Sequence, residues 1–542
     1  LARSTIHTFI WLDIKHPFAF VNAINWALLD TRLIFNIDTR KCDHVCHSEL
    51  LTDEACRVLG QRNDAYRTEL AIMKRAQRES IEIKVYDTLS REVQAIRPRN
   101  GNVVQIYCCG PTVYRDAHVG NLRTFLLSDL VRRALTMSGF KTKLVQNITD
   151  VGHMSEDFEE DKILAQSKSE KRDPFAIARD YEARFHKDLS LLNIVPANSY
   201  PRASECIELM IEHIETLFSL SFAYRGEDGS VYFAAQKFEN YGQLSGNRLD
   251  SLKPGHRYEF TESGAKKFHA DWALWKAAGN RTEMIWPTPW GRGFPGWHIE
   301  CSAMSLHYLD GHIDLHIGGI DLRFPHHENE RAQSNPVTRN EAVDIWLHGE
   351  HLLFEGRKMS KSSGNVVLLS DVVARGFDPL AIRLCFMENR YRSQMDLTWA
   401  NIESAHSLLR RWRDKYQSWC VSAATVTDAT EEEVRRIQLN VAEDLDTPRA
   451  LIALREIEKS TKLTDGEKRE IFQSIDPLFG LNLLQANLQL ELPAEVTELI
   501  AARSRAREAK DFTQSDRLRD QLAALGIEIR DTDKGQEWVK KN

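Results

Sequence analysis

The chain has 542 residues, of which 42% are hydrophobic and 27% are charged, a composition that excludes a disordered or fibrous protein. The chain is too long to fold around a single hydrophobic core, so about two to four domains are expected. The formal net charge of −7 excludes a generally basic, non-specific nucleic-acid binder and requires any RNA site to be a local surface.

Residues 1–72 differ in character from the rest of the chain and form an extension of unknown role. We interpret them as an appended or over-extended translation product. The alternative is a small accessory metal site, although its cysteines and histidines lack a second clean ligand pair. The residues of that cluster are Cys42, His44, Cys46, His47 and Cys56.

The nine cysteines of the chain lack the spacing of a small secreted domain, which indicates a reducing compartment. No run of sequence reaches the roughly 18 uninterrupted apolar residues of a membrane span. We therefore expect a cytoplasmic protein with no membrane partner.

An α/β pattern follows the extension. Residues 103–109 are a short apolar run that ends at a Gly-Pro pair, as a buried strand entering a tight turn does. Apolar residues at helical spacing predict a helix over 122–135, and residues 143–148 predict a second strand. A polar, helix-rich insertion at about 151–290 comes before segments that return to the same sheet. Residues 73–384 are therefore predicted to form a Rossmann-like domain.

The last part of the chain predicts helices. Apolar stripes at i, i+3 and i+4 with dense charge indicate a helical bundle over 385–480 and a further C-terminal region over 481–542. The predicted fold class is α/β, with an insertion in a Rossmann-like domain and a C-terminal α-helical region.

A candidate nucleotide site lies where the first strand meets its helix. Residues 111–121 read PTVYRDAHVGN, and a helix start offers unpaired backbone N–H groups and the positive end of the helix dipole to a triphosphate. His118, Gly120 and Asn121 stand at that point, and Gly120 permits close approach of a ligand. Alone, a histidine and a glycine beside a helix start are more typical of an ordinary turn.

A second candidate segment is RKMSKSSGN, residues 357–365, with Gly364 as a possible hinge. Lys358 and Lys361 on such a loop can neutralise the charge that builds on a pentacoordinate phosphate and its pyrophosphate leaving group. A K-x-x-K pair alone indicates a solvated basic loop, whereas the full string at 358–362 is far more specific. Together with HVGN it resembles the paired signatures of class I aminoacyl-tRNA synthetases.

Four further residues make a plausible tetrahedral zinc set of two thiolates, an imidazole and a carboxylate. Cys109 ends the first strand, Cys301 lies in PGWHIECSAM, and His326 and Glu330 are four residues apart in FPHHENE. Spacing alone does not select them, because they come from three segments and have neighbours that could also bind metal. These neighbours are Cys108, His298, His327 and Glu328.

From about Ile81 to Trp538, the motifs GPTVY, PGWHIECSAM, GGIDLRFPHHENE and KMSKSSGN resemble, in order and spacing, those of cysteinyl-tRNA synthetases. The resemblance implies a class I catalytic domain that activates L-cysteine with ATP and transfers it to the 3′ end of tRNA(Cys). It implies Mg²⁺ with ATP and one zinc ion per chain. The substrate thiolate would add a zinc ligand, which distinguishes cysteine from serine without editing. The implied zinc ligands are Cys109, Cys301, His326 and Glu330.

The same resemblance assigns substrate and ATP contacts. It places Gly110 and Thr112 near the substrate, Trp297 as a wall of the cysteine pocket, and Asp321 at the ATP ribose. The usual final histidine of the first signature is Asn121, which can donate a hydrogen bond but cannot carry positive charge. The implied ATP-binding residues are His118, Gly120, Asn121, Asp321 and Lys361, and the implied catalytic residues are His118, Asn121, Lys358 and Lys361.

The C-terminal region resembles the end of the same family, which implies an anticodon-recognition region and a monomer. A basic helix with an aromatic residue can stack on and pair with unstacked bases. The candidate contacts are Arg519, Asp531, Asp533 and Trp538.

Two other functions stay open at this point. One is a ligase that couples activated cysteine to an amino sugar, which the long tail after the lysine-rich loop disfavours. The other is a catalytically silent, synthetase-like binding protein, which the intact phosphate signatures and metal ligands disfavour.

Overall fold

The structure is a computed structural model, and it describes residues 81–152, 161–253, 265–359, 365–487, 494–525, 527–532 and 535–540. The chain divides into two units, Leu1–Ser80 and Ile81–Asn542, and all described residues belong to the second. The hypothesised metal cluster near the N-terminus, Lys361 and Asp533 lie outside the described residues.

Strands and helices alternate through the first two thirds of the described chain, and helices dominate afterwards. The strands are β1 (Lys84–Asp87), β2 (Glu92–Ala95), β3 (Val103–Cys108), β4 (Lys141–Gln146), β5 (Ala223–Arg225), β6 (Val231–Phe233), β7 (Trp272–Ala277), β8 (Trp286–Thr288), β9 (Gly291–Pro295), β10 (Ile313–Gly319), β11 (Val343–Gly349), β12 (Leu352–Phe354), β13 (Arg357–Lys358), β14 (Met395–Leu397), β15 (Ile527–Thr532) and β16 (Gly535–Lys540). The helices are α1 (Val119–Met137), α2 (Lys162–Glu170), α3 (Pro174–Leu191), α4 (Ile207–Ser219), α5 (Trp297–Tyr308), α6 (Glu328–Thr338), α7 (Leu369–Ala374), α8 (Leu380–Met387), α9 (Trp399–Trp419), α10 (Asp428–Ala442), α11 (Thr447–Lys459), α12 (Asp465–Phe479), α13 (Ala494–Glu508) and α14 (Phe512–Ala524).

A four-stranded parallel sheet carries the site. Its strand order is β11-β10-β3-β4, and each neighbouring pair is parallel. Every residue of β10 is buried, as expected of a central parallel strand that is covered on both faces. Helix α1 connects β3 to β4, which confirms the strand–helix–strand unit expected from the sequence.

The segment between β4 and β10 contains helices, as expected, and also a five-stranded antiparallel sheet in the order β5-β6-β7-β9-β8. Its core contains stacked aromatic rings, with Phe233 and Trp272 4.5 Å apart between ring centroids. The sequence did not indicate this sheet, because β5, β6 and β8 have only three residues each. Such short strands show no clear alternation of polar and apolar residues.

A small sheet of β13, β12 and β14 follows the parallel sheet and holds the beginning of the lysine-rich loop. Strand β12 pairs antiparallel with β13 and parallel with β14. Lys358 is thereby paired with Leu353, and its side chain is exposed.

Helices α9 to α12 form a bundle whose interior includes Leu409, Trp412 and Phe472. Their ends follow ordinary capping chemistry: Thr464 and Glu467 make a capping box at the start of α12, and Gly480 ends it in the left-handed conformation. None of the helices in the described part of the chain is long and apolar enough to cross a membrane.

The C-terminal segment combines α13 and α14 with an antiparallel hairpin of β15 and β16. It has its own small apolar cluster of Val496, Leu522, Ile527 and Ile529. Helices α13 and α14 agree with the expected helical region, and the hairpin adds a β element at its end.

Candidate active site

The predicted site residues collect at the carboxyl ends of the parallel strands. Cys109 follows β3 directly, and its backbone N–H donates to the carbonyl of Ile317 at 3.3 Å. Asp321 lies two residues after β10. Parallel α/β sheets bind ligands at this edge, where the strands end and helices begin.

His118 and Asn121 hold each other at the start of α1 in a capping box. The Nδ1 atom of His118 accepts from the backbone N–H of Asn121 at 3.3 Å, and the Oδ1 atom of Asn121 accepts from the backbone N–H of His118 at 3.3 Å. Because Nδ1 is an acceptor, the proton of the neutral ring lies on Nε2. The amide of Asn121 therefore has a structural role as an N-terminal cap.

Burial and the nearby Arg115 lower the pKa of His118 to about 4, although Asp321 acts in the opposite direction. The imidazole is therefore neutral near pH 7. A neutral ring with its proton on Nε2 can donate a hydrogen bond to a phosphate oxygen, but it brings no positive charge to that oxygen.

The two phosphate signatures contact each other. The backbone N–H of Val119 donates to the carbonyl of Val367 at 2.9 Å, and His118 forms an isolated antiparallel bridge with Leu368. Met359 is only 7% exposed, and a Cβ placed on Gly120 would lie 2.9 Å from its terminal methyl carbon. Both described flanks of the lysine-rich loop therefore lie against the start of α1.

The four predicted metal ligands come together in the structure. The ligand atoms of Cys109, Cys301, His326 and Glu330 all lie within 4.8 Å of one another, and all four residues are buried. The two sulfur atoms are 3.8 Å apart, and the Nε2 atom of His326 is 3.0 Å from Oε1 of Glu330. Two sulfur donors, one imidazole and one carboxylate are a donor set that zinc binds.

Different elements supply these ligands. Cys301 lies on α5, Glu330 lies in the first turn of α6, and His326 belongs to the short turn Arg323–His327 before α6. The Nδ1 atoms of His298 and His326 are 2.8 Å apart. If the Nδ1–H of His326 donates across that contact, its Nε2 lone pair points at the ligand cluster, as in metal-bound histidines.

The electrostatics of the cluster also fit a cation. Burial raises the pKa of the Cys109 thiol well above its usual range. Although burial lowers the pKa of His326, Glu330 and Cys301 outweigh it and raise that pKa to about 10. Buried anionic ligands are costly without a compensating positive charge, and a metal ion supplies that charge.

The alternative ligands considered from the sequence take other positions. Cys108 contacts the carbonyl of Cys109, and Glu328 accepts from the backbone N–H of Ser245 at 2.7 Å. His298 contacts His326 and is not one of the four residues of the predicted set. His327 belongs to a second group of possible metal ligands together with His316, a residue that the sequence had not singled out. His316 inside the fully buried strand β10 was the available signal.

The predicted substrate residues lie around the same cleft. The backbone N–H of Gly110 donates to Oδ1 of Asn147 at 2.8 Å, and Thr112 bridges to Thr149 in the parallel direction. The ring of Trp297 is 4.4 Å from that of His326 between centroids. Trp297 is therefore adjacent to the metal-ligand cluster, as a wall of a cysteine pocket would be.

The predicted tRNA contacts lie in the C-terminal segment. Arg519 is on the exposed surface of α14, and its guanidinium donates to the carbonyl of Ile529 at 3.4 Å. Trp538 pairs with Ile529 in the β15–β16 register, and Asp531 lies in β15.

Residues 95–407 match the family of class I (C) tRNA synthetase catalytic domains, and residues 490–538 match the cysteinyl-tRNA ligase anticodon binding domain. A protein named "Cysteine--tRNA ligase" from Thermus thermophilus is 40% identical over 477 residues, covering 84% of this chain and 98% of its own. "Cysteine--tRNA ligase 1" of Burkholderia lata is 40% identical over 462 residues, covering 84% and 96%. That of Protochlamydia amoebophila is 36% identical over 482 residues, covering 85% and 98%.

Among solved structures, methionyl-tRNA synthetase of Mycobacterium tuberculosis in complex with methionyl-adenylate has a TM-score of 0.49 and 12% identity, covering 70% of this chain and 92% of that chain. The sequence comparisons reach the anticodon domain as well as the catalytic domain, which favours a tRNA ligase over an amino-sugar ligase. Because relatives 36–40% identical to it cover 84–85% of its length, the chain belongs to the cysteine–tRNA ligase family of class I aminoacyl-tRNA synthetases.

Proposed function

We propose that the chain activates L-cysteine with ATP to form cysteinyl-adenylate and pyrophosphate, and then transfers cysteine to the 3′ end of tRNA(Cys). The observation that carries this proposal is the buried set of two cysteines, one histidine and one glutamate beside Trp297. Its thiolate, imidazole and carboxylate donors suit zinc, and Trp297 offers an apolar wall for a small side chain.

We assign zinc to Cys109, Cys301, His326 and Glu330. When bound there, zinc supplies a positive centre that prefers the thiolate of cysteine to the hydroxyl of serine. Trp297 encloses the carbon atoms of the substrate, and Gly110 and Thr112 lie near its polar groups. The remaining contribution of the protein is to hold the carboxylate of cysteine in line with the α-phosphorus of ATP.

The phosphates of ATP bind at the start of α1. His118 donates from Nε2, Asn121 holds His118 in this orientation, and Gly120, which has no Cβ, lets Met359 pack close to the helix start. Lys358 and Lys361 neutralise the pyrophosphate as it leaves, because both belong to the loop whose flanks lie against this helix. Asp321 accepts from the ribose hydroxyls, and Mg²⁺ accompanies the phosphates.

The C-terminal segment binds the anticodon end of tRNA. The segment exposes Arg505 on α13, Lys510 between the two helices, and Arg517 and Arg519 on α14, and these cations can contact the phosphates of tRNA on a chain of negative net charge. Asp531, Asp533 and Trp538 are candidate contacts to unstacked bases. We further propose that the protein acts as a cytoplasmic monomer.

Chelation tests the metal part of this proposal. Zinc-stripped protein should lose cysteine-dependent exchange between ATP and pyrophosphate, and added Zn²⁺, but not Mg²⁺ alone, should restore it. Serine should support no exchange in either state. Full activity with cysteine in the stripped protein, verified as metal-free by elemental analysis, would exclude the metal from substrate recognition.

A further inference from the structure

A second set of metal-binding side chains lies against the first. Cys109, His316, His327 and Glu330 are all buried, and their ligand atoms also lie within 4.8 Å of one another. This inner set shares Cys109 and Glu330 with the outer set that contains Cys301 and His326. The two sets therefore have one common edge, which runs from the Cys109 sulfur to the Glu330 carboxylate.

Three of the four distances between ligand atoms of the inner set are those of a tetrahedral zinc site. The Cys109 sulfur is 3.5 Å from Nε2 of His316 and 3.4 Å from Nε2 of His327. Glu330 oxygens lie 3.6 Å from Nε2 of His316 and 3.9 Å from Nε2 of His327. A tetrahedral zinc ion with bonds of about 2.3 Å to sulfur and about 2.0–2.2 Å to nitrogen or oxygen separates its ligand atoms by roughly 3.3–3.6 Å.

A chain of contacts supports one of the two imidazoles. The Nδ1 atom of His327 is 2.8 Å from Nε2 of His348, and the Nδ1 atom of His348 is 2.8 Å from the hydroxyl oxygen of Thr88. If each Nδ1–H donates along this chain, the Nε2 lone pair of His327 faces Cys109. Metal-bound histidines usually have such a partner for their second nitrogen.

The other imidazole is held by packing. The ring of His316 stacks on that of Trp346, with 4.6 Å between centroids, and its Nε2 atom faces Cys109 and Glu330. Its Nδ1 atom is buried and has no hydrogen-bond partner among the described residues. A proton on that nitrogen would leave the Nε2 lone pair available to a metal ion.

We propose that Cys109, His316, His327 and Glu330 form an inner position for a divalent metal ion of the zinc class, which shares its Cys109–Glu330 edge with the outer, substrate-facing position. This inference deepens the proposed function and rests on its metal site. The inner position is beside Trp346, whereas the outer position is beside Trp297. An ion that loses an outer ligand can move across the shared edge and remain bound.

The proposal separates metal retention from cysteine activation. An ion at the inner position lies away from the Trp297 side, where we place the substrate thiol. Loss of an outer ligand should therefore reduce cysteine activation by at least about 100-fold while zinc stays bound at about one ion per chain.

The test is zinc X-ray absorption on full-length Cys301→Ser and His326→Gln proteins, with elemental analysis. In both variants, inner binding gives one sulfur and two imidazoles. An ion left in the outer set of His326→Gln would instead have two sulfurs and no imidazole, and in Cys301→Ser one sulfur and one imidazole. Either of those outer patterns, or loss of zinc from both folded variants, overturns the proposal.

Two further proteins complete the test. Adding His316→Gln and His327→Gln to either variant should weaken zinc binding at least 10-fold, and unchanged binding would contradict the inner set. His213→Gln is the matched control, because His213 is buried outside both sets and contacts the carbonyl of Gln333. Cys301→Ser and His326→Gln remove different outer ligands. The test therefore needs only one of these two proteins to fold, which circular dichroism measures. Absence of zinc from the unmodified protein would refute the proposed metal function itself.

Discussion

Gly120 is the residue at which the two phosphate signatures come closest. A Cβ on Gly120 would meet the terminal methyl of Met359 at 2.9 Å and Nδ1 of His118 at 3.0 Å. Gly120→Ala should therefore displace the flank of the lysine-rich loop and the phosphate-binding imidazole together. We expect kcat/KM for ATP–pyrophosphate exchange to fall about 10- to 100-fold, with little change in thermal unfolding.

Gly349→Ala is a matched control for that substitution. A Cβ at Gly349 meets only one side-chain atom, a methyl of Leu127 at 3.3 Å, and that methyl can shift. If Gly120→Ala leaves ATP–pyrophosphate exchange unchanged, the contact between Gly120 and Met359 has no role in catalysis.

The lowered pKa of His118 predicts how stability and exchange activity depend on pH. Its pKa is lowered from 6.5 to about 4, so the folded protein binds fewer protons at this residue than the unfolded protein between these values. The associated stability is complete above about pH 6.5 and is lost as the pH falls towards 4. Exchange activity should show no inflection from His118 between pH 6 and 8.

Comparison of unmodified protein with His118→Gln measures this effect. The glutamine amide can replace the Nε2–H donor without titrating, so the two proteins should have pH profiles of the same shape in that range. An acid limb near pH 6.5 that disappears in His118→Gln would mean that His118 acts as a titrating group.

At the residue scale, sequence motifs indicated four side chains that lie together, but not their surroundings. Cys109, Cys301, His326 and Glu330 meet in space, as the resemblance implied. The contacts of His316, His327 and His348 were not predictable, because they depend on the register between β10 and β11 and on the turn before α6. Periodicity within one segment contains no information about that register.

Among the secondary-structure elements, Arg123 connects α1 to the small sheet that carries the lysine-rich loop. Its side chain is buried and donates to four carbonyls, those of Glu350, His351, Arg390 and Ser393, at 2.7–3.2 Å. Arg123→Met removes these donors and leaves buried carbonyls unpaired. We expect a loss of about 2–4 kcal/mol in the free energy of unfolding and a higher KM for ATP.

Chemical denaturation and exchange kinetics measure the two effects. Arg123→Lys should be intermediate in both, because one ammonium group reaches fewer of the four carbonyls. A protein with methionine at this position that keeps its stability and its KM for ATP would refute the coupling between α1 and the small sheet.

The exposed basic residues of the segment that contains α13 and α14 should act on tRNA alone. Arg505, Lys510 and Arg517 are exposed there, and changing all three to alanine should raise the KM for tRNA at least 10-fold and weaken its dependence on salt. ATP–pyrophosphate exchange without tRNA is the internal control and should not change. If the triple variant and the unmodified protein aminoacylate tRNA equally at every salt concentration, the tRNA contact lies elsewhere.

Long elements were predictable from the sequence, and short ones were not. Helix α1 and strands β3 and β4 follow directly from apolar periodicity and the Gly-Pro turn. The sheet of β5 to β9 was missed, because its stability comes from tertiary packing of aromatic residues such as Phe233 and Trp272. The hairpin β15–β16 was likewise not part of the predicted α-helical C-terminal region.

For the whole molecule, the proposed function combines two separate recognition tasks. In the proposed function, the catalytic domain selects cysteine with its metal ligands and holds ATP at a helix start, while the C-terminal segment, which has its own apolar cluster, contacts tRNA. A negative net charge is compatible with tRNA binding because the basic residues are local. This division predicts that amino-acid activation and tRNA transfer can be measured and disrupted independently.

The most direct measurement follows labelled cysteine through both steps in one zinc-loaded preparation, with serine in parallel. The account predicts cysteine-dependent ATP–pyrophosphate exchange, no exchange with serine, and transfer of label to tRNA(Cys) but not to other tRNAs. Exchange with transfer to an amino sugar instead of tRNA would contradict the proposed acceptor. Absence of exchange from folded, zinc-loaded protein would contradict the catalytic function itself.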